Sequence, residues 1–495
     1  MRWRGLLTIL LAVSLMAAAC GGDSDEPADD GGSASGGDDT ASGGETSADD
    51  GPAGSDDAQS ASGGDDTAGT ECPVDALDDA EGSVEITLWH SMSGSNEEAI
   101  NSLAAAYNAS QDRVRVETAF QGTYDENREK YIGTVRGGGD KPEVIQLSEV
   151  SAQIMVDSRS IVAVQDCVDA SGYDLGGFLP GLVDQFRIEG VLWSLPFQLS
   201  NPVVYYDRND FVAAGLDPDD FPETFAEFLD AARTLVASGA VETAIALDID
   251  SWLIEQWIAK SGTPVVDNGN GRDGRATQAN LDTPIAAEIF DLYATLTREG
   301  LLDNTGRSTD DALDKYLAVA FGTAAMTIGT SASLGQIYTQ LGAFPDIEIG
   351  VAPLPGPTNG GITAGGGSLY LVEDTDPAER AAVWDFMTWL NEPDQQVEWS
   401  NLTGYIPTQV AAQDDPELAA LWSERPGYRV AFDQLASQGP DALGFPVMGD
   451  YPGFREAVEQ ALEDLVEGLD PAEALARAQS EATEAIEAYN ERIGG

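Results

Sequence analysis

The sequence predicts an α/β protein built as two lobes around separate cores, with a cleft between them. Three observations carry this. The chain has 495 residues, more than one hydrophobic core ordinarily serves. From Val84 onward, strand-like runs alternate with amphipathic helical runs, the pattern of right-handed βαβ units on a mainly parallel sheet. A proline-bracketed break, LPFQLSNPVVYYDRNDFVAAGLDP, then separates one such region from a second.

The elements follow in order. MRWR and the apolar run Gly5–Met16 form the n- and h-regions of a signal peptide over residues 1–19, too short to span a bilayer comfortably. AAAC ends at Cys20. Small residues before a cysteine resemble a bacterial lipobox, although Ala17 replaces the usual leucine, and they mark Cys20 for lipidation. Residues 20–71 are Gly, Ser, Asp, Ala and Thr with almost no bulky apolar side chain, so they predict a flexible tether. The globular part is expected over 72–495. Its first lobe is placed at about 82–198 and 368–440, its second at about 203–365, with C-terminal helices 441–495 across both.

Within the first lobe, VEITLWH is a strand and NEEAINSLAAAYNAS a helix. VRVETAF, a helix from Tyr124, PEVIQLS and EVSAQIMVD continue the alternation. Beyond the break come strand VVYY, helix 223–238, strand TAIALDI, helix SWLIEQWIAKSG and helices across 283–299 and 310–321. Strands TAAMTIG, IEIGVAPLPG and GGGSLYLVED follow, then a mostly helical end closing on 470–492. Ligands favour clefts near the C-terminal ends of such strands.

Acidic residues outnumber basic ones 86 to 24, a net charge of −62. From residue 72 the chain still holds 71 acids against 22 bases. Such a surface repels phosphate backbones, which excludes nucleic acid as a partner. Cys72 and Cys167 can form a disulfide in an exported protein or remain two thiols. His90, in WHSMSG, is the one histidine. It finds no familiar metal spacing, no G-x-S-x-G elbow and no phosphate loop around it, so no catalytic residues, metal or cofactor are nominated and an enzyme is not expected.

Binding chemistry is better represented. Thr330, Ser331 and Ser333 in TSASLGQIY lie at a helix start, where free N–H groups attract an anion; a solvent-facing cap is the alternative. Trp252 either packs in a core or stacks on a ligand. Arg455, in GDYPGFR, is either an exposed arginine or a buried anion clamp.

The segments WHSMSG, QGTYDEN, VIQLSEVSAQIM, LPFQLSNPVVYYDRNDFVAAGLDP, AMTIGTSASLGQI, GGGSLYLV, EWSNLTGYIPT and GDYPGFR occur in one order over residues 84–490. In that order they resemble the family 1 extracellular solute-binding proteins, and within these the glycerol-3-phosphate-binding proteins of Ugp-type ABC importers. The resemblance implies a type II periplasmic-binding-protein-like fold with hinge crossings. It implies capture of glycerol-3-phosphate or a related ligand and its delivery to ABC permease subunits. The family's binding positions fall on Tyr124, Glu149, Ser200, Trp252, Thr330, Gly365, Tyr405 and Arg455. Of the family's two tryptophans there, the second falls on Trp252 and the first on Ile249, a departure that is expected to remove an aromatic wall, leave more room and favour a glycerophosphodiester such as glycerophosphocholine over glycerol-3-phosphate alone. Arg455, Thr330, Ser200 and the Gly365 N–H would hold phosphate, Glu149 would accept from glycerol hydroxyls, and Tyr124, Tyr405 and Trp252 would wall the pocket. With Cys20 lipidated, the protein would be a monomer anchored to the outer face of a bacterial membrane. A sugar-binding importer component is the runner-up, ahead of a surface hydrolase and an adhesive lipoprotein. His90 is then expected to shape the cleft rim rather than touch ligand.

Overall fold

The computed structural model describes residues 72–308, 313–341, 344, 346–373, 375–437 and 442–494. The residues read as signal peptide, lipidated Cys20 and tether lie outside them.

Thirteen strands are present among the described residues. In chain order they are β1 (Val84–His90), β2 (Val114–Phe120), β3 (Val144–Ser148), β4 (Ile161–Val162), β5 (Arg187–Ile188), β6 (Val191–Leu192), β7 (Leu195–Ser200), β8 (Pro202–Asp207), β9 (Thr243–Ile249), β10 (Leu302–Arg307), β11 (Ala324–Thr330), β12 (Ile349–Pro353) and β13 (Gly365–Val372). β5 and β6 form a small hairpin. The rest make two sheets. The first runs β2-β1-β3-β13-β4, with β7 also paired to β13; the second runs β10-β9-β11-β8-β12.

Both sheets are mixed, which corrects the expectation of mainly parallel ones. β1 pairs in parallel with β2 and β3, and β9 in parallel with β10 and β11. β13 is antiparallel to β3, β4 and β7, and β8 is antiparallel to β11 and β12. The reason is topological. A strand whose chain has just crossed from the other lobe enters at the cleft and runs away from it, while strands of βαβ units run toward it.

The crossings are short. β7 of the first sheet ends at Ser200 and β8 of the second begins at Pro202, so Asn201 alone spans the gap. Its buried side chain donates to the Ala431 carbonyl at 2.9 Å. The chain returns over residues 354–364 to β13. Helix Pro426–Ala436 packs against β8 and β12, and helices Tyr451–Val466 and Pro471–Gly494 pack on helix Pro284–Arg298 of the second lobe. Cys72 and Cys167 are bridged, tying the start of the described body to helix Val164–Ser171.

β3, β7 and β8 are buried along their whole length. Proline is tolerated in LPFQLSNP because Pro196 lies on β7, which pairs only with β13 among the described strands, and beside an irregularity in their register, and Pro202 is the first residue of β8, although this made LPFQLS unreadable as a strand. β10 (LDNTGR) was equally hidden, being a polar strand on the edge of the second sheet.

Candidate functional site

The parallel strands of both sheets point their C-terminal ends into one cleft of about 810 Å³. Its walls are the segment after β1 (Ser91–Asn96), Tyr124 after β2, Glu149 after β3, Asp250 and Trp252 after β9, and Thr330 after β11. Ser200, Tyr405 and Arg455 complete it. Seven of the eight residues nominated from sequence therefore face the cleft, and the eighth, Gly365, lies against a wall residue.

Local sequence fixes each position. Thr123 and Glu126 form a capping box that starts helix Tyr124–Gly137 and sets Tyr124 on its first turn. Gln146 of β3 donates to the Tyr124 hydroxyl at 3.0 Å and accepts from the Ser91 N–H at 2.9 Å, coupling two rim segments. The Tyr124 hydroxyl also bonds with Tyr405, whose ring stacks on buried Trp399 at 5.3 Å. Asp250 caps helix Ser251–Lys260 by accepting from the Trp252 N–H at 2.8 Å. The Trp252 indole lies on the bare Cα of Gly365, where an added Cβ would stand 2.9 Å from Cζ2. Gly365 is paired with Ser200 across β13 and β7.

Arg455 is the electrostatic centre. Helix Tyr451–Val466 begins at Asp450, whose carboxylate accepts from the Gly453 N–H at 3.2 Å. One turn on, Arg455 forks onto Glu255, with Nε donating at 3.0 Å and Nη2 at 3.1 Å. Nη2 also donates to Glu149 at 3.3 Å. Glu255 sits on a helix of the second lobe and Glu149 follows β3 of the first, so one guanidinium joins both lobes. The Tyr451 hydroxyl donates to Glu255 at 2.6 Å, and the guanidinium lies 4.8 Å over the Tyr451 ring. Burial opposes the charge on Arg455, but Glu255, Tyr451 and Glu149 outweigh it and hold its pKa well above the ordinary value. Burial raises the Glu149 carboxyl against the pull of Arg455.

A second set of charges was not nominated from sequence. Lys315 donates to both oxygens of Asp248 at 2.7 Å, both side chains are buried, and both face the cleft. Burial pulls Lys315 toward neutrality, but Tyr316, Asp248 and Asp250 outweigh it and its pKa is raised. Asp250 is pushed up to about 6 by burial and by Asp248, and Glu459 to about 7 by burial and by Asp250. These acids stabilise the fold below their ordinary range, and that contribution is lost as pH rises through about 6 and about 7. A signal existed in ALDID: strand alternation puts Asp248 and Asp250 on one face and Ile249 on the other. Lys315 is one of only four lysines in the chain, which gave no cue to its burial.

That alternation also corrects the reading of Ile249. It is 3% exposed in the hydrophobic core and does not line the cleft, so it adds no room there. The Ser331 hydroxyl accepts from the Asn201 N–H at 3.1 Å and belongs to the crossing. Thr330 and Ser333 face the cleft, and Thr330 Oγ1 accepts from the Ala332 N–H at 3.2 Å as a local cap.

His90 is buried at 1% exposure, and its Nδ1 accepts from the Met92 N–H at 3.3 Å. It shapes the turn whose next residues, Ser91–Gly94, face the cleft. Burial lowers its pKa from 6.5 to about 4. The unfolded imidazole binds a proton more tightly, so stability falls as pH drops through that window, by about 2 kcal/mol between neutrality and about pH 5. Asp250 and Glu459 act in the opposite direction over the same window, so the His90 effect is read as a difference: from pH 7 to pH 5, denaturant unfolding should show the wild type losing about 2 kcal/mol relative to His90→Gln. An equal change in both contradicts the assignment.

Among the described residues no group of three or more His, Cys, Asp or Glu side chains could hold a metal ion. None of their helices is long and apolar enough to cross a membrane.

A family model described as bacterial extracellular solute-binding protein matches residues 102–426. The chain belongs to this family. This solute-binding protein is 29% identical over 400 residues to the sn-glycerol-3-phosphate-binding periplasmic protein UgpB of Pectobacterium atrosepticum, covering 79% of this chain and 88% of that one. It is 29% identical over 407 residues to UgpB of Escherichia coli K12, with coverage of 79% and 90%. Among solved structures, it is similar to the cyclic alpha-maltosyl-1,6-maltose binding protein of Arthrobacter globiformis, with TM-score 0.68, 24% identity and coverage of 82% and 100%. It is also similar to Mycobacterium tuberculosis UgpB in complex with glycerophosphocholine, with TM-score 0.68, 22% identity and coverage of 82% and 99%. At that identity the two structures show the shared fold.

Proposed function

We propose that this protein is the substrate-binding component of an ABC importer, capturing a glycerophosphodiester such as glycerophosphocholine, or glycerol-3-phosphate, and delivering it to membrane permease subunits. The observation that carries this is Arg455, held between carboxylates of the two lobes on the wall of a cleft that also presents Trp252. A phosphate oxygen can compete with Glu149 for that guanidinium, because Glu149 makes the longest of its three contacts. Its hydrogen bonds would come from Arg455, Thr330, Ser200 and backbone N–H groups near Gly365. The curated UgpB relatives support the same class.

Charge orders the ligands within it. Arg455 and Lys315 are each already met by carboxylates, and Asp250 and Glu459 add to the acid side. A phosphomonoester brings about 1.5 to 2 negative charges at neutral pH, whereas a choline diester brings one and a quaternary ammonium. That ammonium has a ring at Trp252 and acids beside it, a cation–π contact of about 0.5–2 kcal/mol. Glycerophosphocholine is therefore expected to bind more tightly than glycerol-3-phosphate.

A neutral oligosaccharide is the second reading, favoured by the same carboxylates and aromatic walls. Calorimetric titration with glycerophosphocholine, glycerol-3-phosphate, maltose and trehalose separates the two. Heats from the phosphodiester alone, or from both phosphates, support the proposal; heats from the sugars alone reject it. Gly365→Ala places a Cβ against Trp252 and is expected to weaken glycerophosphocholine at least tenfold in the same titration. An unchanged affinity would remove Trp252 from the binding surface.

The export layout belongs to this proposal too. Cys20 as a lipid anchor and residues 21–71 as a tether would hold a monomer at the outer face of the membrane. Mass spectrometry of the mature N-terminus tests it, with a diacylated Cys20 expected and an unmodified or differently cleaved end contradicting it.

A further inference from the structure

We infer that ligand capture by this protein is linked to proton uptake at Glu149: when a phosphodiester takes Arg455, as proposed above, the Glu149 carboxylate gives up its ion pair and binds one proton from solvent. Capture is then strongest in acidic medium, a regulation of the site that rests on the phosphodiester reading.

Glu149 has a single counter-charge. It is 7% exposed and follows directly on β3. Its carboxylate accepts from Arg455 Nη2 at 3.3 Å, and among the described residues no other cation pairs with it. The elements packed around it bring no second positive charge. Helix Ser251–Lys260 brings Glu255, helix Tyr451–Val466 brings Tyr451 beside Arg455, β13 brings Tyr370, and Tyr124 stands at the next helix start. Asp157, at the far end of helix Ala152–Ser158, is held by Arg275 at 2.5 and 2.9 Å. Across the cleft, Lys315 is held by Asp248, and Arg307 by Glu456 and Glu463.

One guanidinium cannot satisfy Glu255, Glu149 and a phosphate together. Glu255 takes both Nε and Nη2 and is the more deeply buried partner, and Glu149 shares Nη2 at the longest of the three distances. Glu149 is therefore the one displaced. It is then a buried carboxylate without a counter-charge, beside a second anion, the arrangement in which one of two acids binds a proton. Burial already raises the Glu149 carboxyl, and Arg455 is the strongest influence holding it down. Losing Arg455 to the ligand raises it further. The carboxylate and the solvent proton give a neutral carboxyl, whose O–H can donate to a phosphate oxygen. A repulsive contact thereby becomes an attractive one. The sign follows: because the liganded protein holds the proton more tightly, affinity falls as pH rises. Uptake of half a proton per ligand corresponds to about threefold weaker binding per pH unit, and of one proton to about tenfold.

Calorimetric titration of glycerophosphocholine in PIPES and in imidazole, two buffers of different ionisation heat, counts the protons at about pH 7. A diester is used because its own phosphate keeps one charge there. The wild type is expected to take up at least about half a proton per ligand and to bind at least threefold more weakly at about pH 7 than at about pH 6. Asp250 and Glu459 also line the cleft and are pushed up to about 6 and about 7, so their protons are counted separately. The double variant Asp250→Asn, Glu459→Gln is expected to keep the uptake, and Glu149→Gln to lose it. No uptake by the wild type, or uptake that survives in Glu149→Gln, overturns the inference. If Glu149→Gln binds too weakly to titrate, the double variant decides: persistent uptake supports the assignment and lost uptake overturns it. Glycerophosphocholine bound without proton uptake removes this inference only. Binding of neither glycerophosphocholine nor glycerol-3-phosphate in any buffer removes the parent reading with it.

Discussion

Arg455→Ala is expected to lower the unfolding free energy by about 3–5 kcal/mol, the cost of leaving a buried ion pair without one partner, and to abolish measurable binding of a phosphodiester. Glu255 and Glu149 are 3% and 7% exposed, so the two carboxylates lose their counter-charge where water cannot replace it. Tyr451 keeps its bond to Glu255 but cannot neutralise it. Arg455→Lys restores charge without the fork and recovers only part of either loss, because an ammonium cannot donate in parallel to Glu255 while reaching Glu149. Denaturant unfolding and calorimetry on both variants check this. A stable Arg455→Ala protein with wild-type affinity would show that the guanidinium belongs to neither the fold nor the site.

Removing the disulfide is the other large effect. Cys72 and Cys167 are 95 residues apart in sequence, and in the loop-entropy account a bridge closing about that many residues contributes about 4–5 kcal/mol. The double variant Cys72→Ser, Cys167→Ser should lose that much against denaturant. Neither cysteine lines the cleft, so ligand affinity measured well below the transition should stay within threefold of the wild type. A variant as stable as the wild type would mean that the bridge constrains little of the unfolded chain.

Much of this was legible in the sequence because local signals and the fold agreed. The first-lobe strands and helices follow their apolar periodicity, and capping residues such as Thr123 and Asp250 stand where their helices begin. Tyr124, Glu149, Trp252 and Arg455 could be nominated because each falls in a recognisable motif at a strand end or helix start. What escaped depends on long-range packing. Residues 195–207 carry two prolines, yet they form two wholly buried strands on different sheets, separated only by Asn201. Lys315 shows its role only when Asp248 is brought opposite it from 67 residues away. Glu255 looks like one more acid on an amphipathic helix until Arg455, 200 residues later, closes on it. Ile249 misled for a local reason: the two-residue period of β9 turns that side chain into the core. His90 drew notice by its rarity, and its surroundings make it a neutral acceptor for the next turn of chain.

A phosphodiester is expected to be held in the cleft around Arg455. A crystal structure grown with millimolar glycerophosphocholine tests it most directly. Density for the ligand is expected in this cleft, with a phosphate oxygen within hydrogen-bonding distance of the Arg455 guanidinium, Glu149 shifted from its 3.3 Å contact and the choline methyl groups against Trp252. Density for the ligand elsewhere, or an empty cleft with the Glu149 contact intact, would contradict it.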